Sequence, residues 1–242
     1  MIEIKGIEKS FGDHQVLAGV DLTVGTGETM VILGRSGCGK SVLLKLVIGL
    51  LKPDSGQVLV GGEPVPYDRP GDLFRMRGKF GMLFQAAALF DSLTVGENVG
   101  LGLKENTSLN AGEISRRVKE KLLTVGLDGA EFLKPAELSG GMKKRVGLAR
   151  ALAMDPEYIL YDEPTTGLDP VMGGVINELI RDLQHKFRAT SIAVTHDIHS
   201  AFRIGDRIAL LHEGRIVHVG TVAETKATRN PVVEEFIEGQ SG

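Results

Sequence analysis

The sequence is poor in several residue types, and each scarcity excludes something. Among its 242 residues there is no tryptophan and only one cysteine, Cys38, so no disulfide can form within the chain. This composition fits a protein of a reducing compartment. The formal net charge is only −3, from 28 Lys and Arg against 31 Asp and Glu. Because that balance gives no overall attraction to nucleic acids or acidic membranes, we expect no nucleic-acid partner.

Long hydrophobic runs are scarce as well. The longest nearly apolar run spans 42–51 and is interrupted by Lys45, which is about half of the roughly 20 residues that a membrane span needs. Residues 1–5 lack the basic start and apolar stretch of a signal peptide. With 42% hydrophobic residues, the chain has enough apolar side chains to fold rather than remain disordered. We therefore expect a soluble, folded chain.

Glycine is the residue present in excess. It accounts for 32 of the 242 residues, about twice the average share of roughly 7%. The glycines follow no Gly-X-Y period, which excludes a collagen-like chain. The excess predicts tight turns, or backbone that comes close to a ligand.

Strand and helix patterns alternate along most of the chain. Short apolar or alternating runs predict strands at 2–11, 16–24, 29–33, 57–60, 80–84, 158–161, 191–195, 208–211 and 216–219. Helical spacing and capping residues predict helices at about 40–50, 113–125, 140–153, 175–187 and 232–238. The alternation predicts an α/β fold with a largely parallel sheet and a small antiparallel edge, and the helical middle at roughly 87–157 looks like an insert in that core.

A phosphate-binding pattern follows the predicted strand 29–33. The pattern G-x-x-x-x-G-K-[ST] is matched by Gly34, Arg35, Ser36, Gly37, Cys38, Gly39, Lys40 and Ser41. Glycines let backbone amides wrap phosphates, and the start of the following helix adds unpaired N–H groups. Lys40 is expected to contact the β- and γ-phosphates and the Ser41 hydroxyl to ligate Mg²⁺. The strand–helix context favours this interpretation over an ordinary glycine-rich turn or a redox role for Cys38.

Two adjacent carboxylates, Asp162 and Glu163, follow the apolar run 158–161. Ligands of open α/β sheets bind at the carboxyl ends of the strands. Asp162 would hold Mg²⁺, directly or through water, and Glu163 would act as general base on the attacking water. Such a pair alone is more often a solvated strand end, but beside a phosphate loop it indicates metal-dependent hydrolysis of a nucleoside triphosphate.

Residues 138–142, Leu-Ser-Gly-Gly-Met, resemble the LSGGQ signature of the ATP-binding cassette (ABC) ATPases. Other family features follow in the expected order: Phe11 before the phosphate loop, Gln85 after the predicted strand 80–84, a D-loop-like segment at 166–169, and His196 after 191–195. The resemblance covers essentially the whole chain. It implies one domain over 1–242, a P-loop NTPase with a RecA-like core, an antiparallel β edge and a helical subdomain at about 87–157.

The resemblance also implies roles for these residues. Phe11 would stack on adenine, Gln85 would reach Mg²⁺ and the attacking water, and His196 would contact the γ-phosphate. A second set, Ser139, Gly140, Gly141 and Asp169, would act on ATP held by a second ATPase subunit, either another copy of the chain or a homologue. The alternatives are weaker: Ser139 as a helix cap alone, His196 with His199 as a metal pair, and the basic residues 143–145 as a nucleic-acid contact. We expect 143–145 to be a solvated helix face.

The resemblance leaves three classes of ABC protein: a transporter subunit, a soluble protein of DNA repair or chromosome structure, and a cytosolic scaffold or translation-type factor. The stretch between Gln85 and Leu138 is too short for the coiled coil of a repair-type protein, and translation-type factors usually carry two cassettes. Segments 82–95, 138–146 and 161–170 look like those of the Mla/MCE lipid-transport ATPases of bacteria and their chloroplast relatives. Phospholipid transport is therefore favoured, with an amino-acid or other small-solute importer as the alternative and a soluble non-transport ABC protein less favoured.

That resemblance implies a set of partners and a place in the cell. The chain would hydrolyse ATP with Mg²⁺ at the cytoplasmic face of the inner membrane. It would pair with a second ATPase subunit and power a separate permease, together with an MCE-domain protein and a small accessory subunit. The family docks its permease on the apolar stretch after Gln85, where Phe90 and Leu93 are the expected contacts.

Overall fold

The computed structural model describes residues 1–239. Over that range the strands are β1 (Ile2–Phe11), β2 (His14–Val24), β3 (Thr29–Leu33), β4 (Ser55–Val60), β5 (Glu63–Pro64), β6 (Phe80–Leu83), β7 (Tyr158–Asp162), β8 (Thr190–Thr195), β9 (Arg207–His212) and β10 (Arg215–Thr221). The helices are α1 (Lys40–Val47), α2 (Pro70–Arg77), α3 (Val95–Asn106), α4 (Ala111–Thr124), α5 (Gly140–Leu152), α6 (Pro170–Phe187), α7 (Ile198–Ile204), α8 (Val222–Ala227) and α9 (Pro231–Glu238), with a 3₁₀ turn at Pro135–Glu137.

A six-stranded sheet in the order β10-β9-β3-β8-β7-β6 forms the centre of the fold. Every neighbouring pair is parallel except the β9–β10 hairpin. Strands β3, β7 and β8 are buried at every residue, as expected for parallel strands covered on both faces. In register, Leu33 lies opposite Thr195 and Asp162 lies opposite Val194, so these strands end almost level. The segments that follow them therefore meet at one edge.

The N-terminal strands form a second, four-stranded sheet in the order β2-β1-β4-β5, which is antiparallel throughout. Ile2, Ile4 and Ile7 of β1 point into a shared apolar cluster that also includes residues of α1 and β3. The backbone N–H of Ala18 donates to the carbonyl of Gly214 at 2.8 Å and ties β2 to the β9–β10 turn. The expected antiparallel region thus exists, as a sheet of its own beside the central sheet.

Helices α3, α4 and α5 lie between β6 and β7, inside the range predicted to be helical. Their apolar faces share one cluster with the central sheet, which includes Val99 of α3, Val118 of α4 and Val146 of α5. The predicted capping box at the start of α4 is confirmed, because the Asn110 side chain accepts from the N–H of Glu113, whose carboxylate accepts from the N–H of Asn110.

Several helix ends differ from their predicted positions. Helix α6 begins at Pro170 rather than at 175, because the Asp169 carboxylate caps it and proline suits a first helical position. Helix α1 ends at Val47 rather than near 50. Helices α2, α7 and α8 have eight residues or fewer and were not predicted. Helix α3 lies in the range predicted to be helical but was not predicted individually.

Across residues 1–239, no helix combines the length and the apolar composition that crossing a bilayer requires.

Candidate active site

The carboxyl edge of the central sheet opens into a cleft of about 500 Å³. Four segments reach it because strands β3, β6, β7 and β8 are neighbours and point the same way. The predicted residues that line it are Phe11, Ser36, Gly37, Gly39, Lys40, Ser41, Gln85, Glu163 and His196. Residues far apart in the sequence therefore meet in a single cavity.

The phosphate loop forms one wall of this cleft and leads directly into α1. Gly39 has φ +104°, and a Cβ there would lie 2.9 Å from the side chains of Val16 and Leu17, so a larger residue does not fit. Within residues 1–239, no side chain caps the start of α1. Because the first N–H groups of a helix have no partner within it, this end is suited to bind an anion.

Lys40 is held inside the loop and is only 5% exposed. Its ammonium donates to the carbonyls of Gly34 at 2.8 Å and Arg35 at 3.0 Å. The same nitrogen lies 3.4 Å from Oε1 of Glu163. Phosphate oxygens entering the cleft would compete for this ammonium, which connects the anion site with the acidic residue.

Glu163 occupies the centre of the constellation. Its Oε2 lies 2.9 Å from Nδ1 of His196 and accepts from the Thr166 hydroxyl at 3.1 Å. Its backbone has φ +49°, a left-handed conformation that non-glycine residues adopt only when the surroundings enforce it. The carboxylate is thus fixed between Lys40, His196 and Thr166, at a position where it can accept a proton from water.

Oxygen ligands suited to Mg²⁺ lie beside this carboxylate. The Ser41 hydroxyl donates to Oδ1 of Asp162 at 2.7 Å, and Gln85 lines the same cleft. Hydroxyl, carboxylate and amide oxygens are hard donors, and Mg²⁺ in nucleotide sites completes its shell with water and phosphate oxygens. The residues present therefore fit Mg²⁺.

Within residues 1–239, three residues of the phosphate loop do not line the cleft: Gly34, Arg35 and Cys38. The carbonyl of Gly34 faces Lys40. The guanidinium of Arg35 turns away to pair with Glu235 of α9 at 2.7 Å. Burial raises the pKa of the Cys38 thiol, and because the thiolate is the reactive form, this disfavours a redox role.

The residues expected to act on a second subunit's ATP stay outside the cleft. Ser139 and Gly140 are exposed at the start of α5, where the Ser139 hydroxyl accepts from the N–H of Met142 at 3.3 Å. The carboxylate of Asp169 accepts from the N–H groups of Val171 and Met172 and caps α6. Gly141 is buried on the first turn of α5. A single chain does not bring this set to its own phosphate loop.

One expectation is wrong. Lys144 does not belong to a solvated face, since it is only 4% exposed, and its ammonium donates to the carbonyls of Gln85 at 2.5 Å and Glu163 at 3.2 Å. Burial lowers the pKa of this ammonium, while the carboxylates of Asp162 and Glu163 act in the opposite direction. Helix α5 is buried on most sides, so the hydrophobic period could not show that Lys144 points inward.

His14 and Val16 also line the cleft, near Phe11, and were not among the predicted residues. His14 lies directly opposite Phe11 across the two-residue turn between β1 and β2. Directly opposed residues of an antiparallel pair project to the same face. Gly12 and Asp13 are typical turn residues, and the register across a two-residue turn would have placed His14 beside Phe11.

Comparison with known proteins agrees with this geometry. Residues 17–166 match the family described as "ABC transporter". The probable ribonucleotide transport ATP-binding protein mkl of Mycobacterium tuberculosis is 42% identical over 99% of this chain and 67% of its own length. The intermembrane phospholipid transport system ATP-binding protein MlaF of Haemophilus influenzae is 38% identical over 100% of this chain and 91% of its own length. A dimeric ATP-binding cassette solved in a post-hydrolysis state with ADP and Pi superposes with a TM-score of 0.83 at 34% identity, over 92% of this chain and 99% of that one.

Proposed function

We propose a transport function for this chain, which belongs to the ABC transporter family and is one of its ATPases. It is the ATP-hydrolysing subunit of a transporter whose membrane-spanning part is a separate permease. We propose that the described residues, 1–239, form a single ABC ATPase domain, in which about 87–157 is the helical subdomain. The observation that carries the catalytic part is the carboxylate of Glu163, held between Lys40 and His196 at the end of a buried strand.

In the proposed reaction, ATP lies along the cleft with its adenine on Phe11 and its phosphates over the start of α1. Lys40 releases its loop carbonyls and binds the β- and γ-phosphates. Glu163 accepts a proton from the attacking water, whose oxygen bonds to the γ-phosphorus as the bond from that phosphorus to the β–γ bridging oxygen breaks. ADP leaves with the bridging oxygen, the γ-phosphoryl group becomes inorganic phosphate, and His196 contacts the γ-phosphate during the step. Ser41, Asp162 and Gln85 would hold Mg²⁺, which supplies positive charge next to the phosphates.

A second ATPase subunit completes the site. Ser139, Gly140, Gly141 and Asp169 lie outside the chain's own cleft, and Ser139 and Gly140 present an exposed helix start. A helix start binds anions well. We therefore propose that two chains pair so that each closes the other's ATP site. Two equal sites would result if both chains are copies of this one.

Phospholipid is the proposed cargo. The support is similarity along the full chain to a protein named as part of an intermembrane phospholipid transport system. On this proposal the chain works at the cytoplasmic face of the inner membrane, with an MCE-domain protein and a small accessory subunit as further partners.

The loop after Gln85 is proposed to contact the permease. The side chain of Phe90 is 52% exposed there. Its backbone is held by Asn98, a fully buried residue that accepts from the N–H of Phe90 at 2.8 Å and donates to its carbonyl at 3.1 Å. An exposed aromatic on a fixed backbone is well suited to a docking contact, and Leu93 lies partly buried beside it.

The test is affinity purification of the tagged chain from its own membranes, with the copurifying membrane protein identified and its lipids measured. A permease that carries phospholipid, and a complex whose ATPase rate rises with added phospholipid, would support the proposal. If amino acids or ribonucleotides raise the ATPase rate of the complex and phospholipid does not, those compounds replace phospholipid as the proposed cargo. Phe90→Ala and Leu93→Ala should each weaken permease association and leave the ATPase rate of the free chain unchanged.

A further inference from the structure

Side chains on one face of α5 donate hydrogen bonds to the backbone of the segment that follows β6. Lys144, Gly147 and Arg150 are spaced three residues apart and so lie along the same side of the helix. Lys144 donates to the carbonyl of Gln85 at 2.5 Å. A Cβ on Gly147 would lie 2.7 Å from the Leu83 side chain at the end of β6 and 3.4 Å from Cβ of Ala87, so the helix is in close contact with the end of β6 and with the segment after it.

Arg150 fixes the same segment further along. Its guanidinium donates to the carbonyls of Ala87 at 2.6 Å and Ala88 at 2.7 Å. These two alanines have φ of +58° and +49°, conformations that are costly for residues with a Cβ and need support from their surroundings. The path of the chain after Gln85 is therefore held by α5 at two points.

Lys144 also reaches a second strand end. Its ammonium donates to the carbonyl of Glu163 at 3.2 Å, and Glu163 has a left-handed backbone of its own. A lysine ammonium offers three donors and no acceptor. Here it joins two carbonyls that lie just beyond the last paired residues of β6 and β7, Leu83 and Tyr161. Because Lys144 is buried, the cost of breaking either bond is not offset by water.

We propose that Lys144 is a positioning residue, which holds the backbone of Gln85 and Glu163 at a fixed spacing and links both to the helix that begins at Ser139. This rests on the proposed roles of Gln85, Glu163 and Ser139. When the start of α5 binds the partner's ATP, a shift of the helix moves the two carbonyls together. Each chain's own catalytic pair thereby responds to the nucleotide that it grips in the other chain.

The test is steady-state ATP hydrolysis by the full chain carrying Lys144→Met, Lys144→Arg or Lys143→Met. Lys144→Met keeps the length of the side chain and removes the donors. We expect kcat to fall roughly 10- to 100-fold, since small misplacements of catalytic groups have effects of that size, with KM for ATP changed less than about threefold. Lys144→Arg keeps donors and should recover a large part of kcat, and Lys143→Met, on the partly exposed neighbour, should match the unmodified chain.

Each outcome is decisive. Unchanged kcat in Lys144→Met overturns the inference, as does an equal loss of kcat in Lys144→Arg and Lys144→Met. If Lys144→Met fails to fold, judged by its thermal unfolding, Lys144→Gln takes its place, and its kcat must be lower than that of Lys144→Arg. Failure of the proposed function gives a different result, since the unmodified chain and Glu163→Gln would then hydrolyse ATP equally well.

Discussion

The starts of α1 and α5 are built from similar parts and placed in opposite surroundings. Both are glycine-containing helix starts with N–H groups suited to an anion. At α1, Lys40 is buried and the loop lines a cleft. At α5, Ser139 and Gly140 are exposed, and the serine hydroxyl is the cap.

On the proposed pairing of two chains, this difference gives the two helix starts different tasks. The α1 start is enclosed by the rest of its own chain, with a lysine, a carboxylate and a histidine already within reach. The α5 start is exposed at Ser139 and Gly140, so we propose that it acts when the other chain brings a phosphate to it. The same local chemistry thus gives an enclosed phosphate loop in one place and an exposed helix start in the other.

The largest expected effect separates holding ATP from hydrolysing it. In Glu163→Gln the proton acceptor is lost while both helix starts stay intact, so turnover should fall roughly 10²- to 10⁴-fold, the range typical of a general base. ATP affinity should change little. Phosphate release measures the first and nucleotide titration the second. Turnover equal to that of the unmodified chain would contradict the role of Glu163.

The same variant tests the pairing of chains. Because ATP binds but is not consumed, two chains should remain joined through their α5 starts. Size-exclusion chromatography with light scattering should show a dimer that needs ATP and disperses when ATP is removed. A species that stays monomeric with ATP would separate the catalytic proposal from the dimer proposal.

The next effect concerns the α1 start alone. Lys40→Ala removes a charged donor to the phosphates and should weaken ATP binding about 10- to 100-fold, since hydrogen bonds to charged groups contribute about 1.5–3 kcal/mol. Equilibrium binding of a fluorescent ATP analogue to the isolated chain measures this. Lys45→Ala, on the same helix, is the matched control and should bind as the unmodified chain does.

A change at the α5 start should give the reverse pattern. Ser139→Asp keeps a good helix cap but adds a negative charge where the partner's phosphate is expected. ATP binding to the isolated chain should stay the same, and turnover should fall at least about 10-fold because like charges repel in a closed site. Ser139→Asn, a neutral cap, should keep more activity. Weakened ATP binding by the isolated Ser139→Asp chain would show that the α5 start contributes to the ATP site of its own chain, which contradicts the proposed difference between the two helix starts.

A mixture of the Lys40→Ala and Ser139→Asp chains tests whether the α5 start of one chain serves the α1 start of the other. A dimer of one Lys40→Ala chain and one Ser139→Asp chain has one damaged site and one intact site. Turnover of the mixture should therefore exceed that of either variant alone. Activity that stays at the level of the separate variants would mean that the α5 start does not serve the opposite chain.

The smallest effect is expected at the edge of the phosphate loop. The side chains of Arg35 and Glu235 form a pair but are 69% and 71% exposed. Surface pairs of this kind contribute about 0–1 kcal/mol. Glu235→Ala should therefore change the free energy of unfolding by less than about 1 kcal/mol, measured in urea, and leave ATP affinity within about twofold. A larger loss of affinity would show that α9 shapes the α1 start.

The predictions from sequence succeeded where neighbouring residues decide the structure. The strand before Gly34, the helix after it and the capping box at Asn110 are set by local spacing, and they were found. The order of the strands depends on contacts between distant segments, which no local pattern contains. Lys144 was mispredicted for the same reason. A lysine in a helix is expected to face solvent, and its two carbonyl partners, from Gln85 and Glu163, lie far away in the sequence.

The buried side chain of Asn98 holds the backbone of the loop after Gln85, whereas exposed side chains such as that of Phe90 form the surface of this loop. The amide oxygen of Asn98 accepts from the N–H of Phe90, and its amide nitrogen donates to the carbonyls of Phe90, Leu93 and Thr94. Every one of these bonds is to backbone, so side chains on the loop can be exchanged without altering its path. If the loop contacts a permease as proposed, we expect its partner preference to change with exposed residues such as Phe90, provided that the buried asparagine is kept.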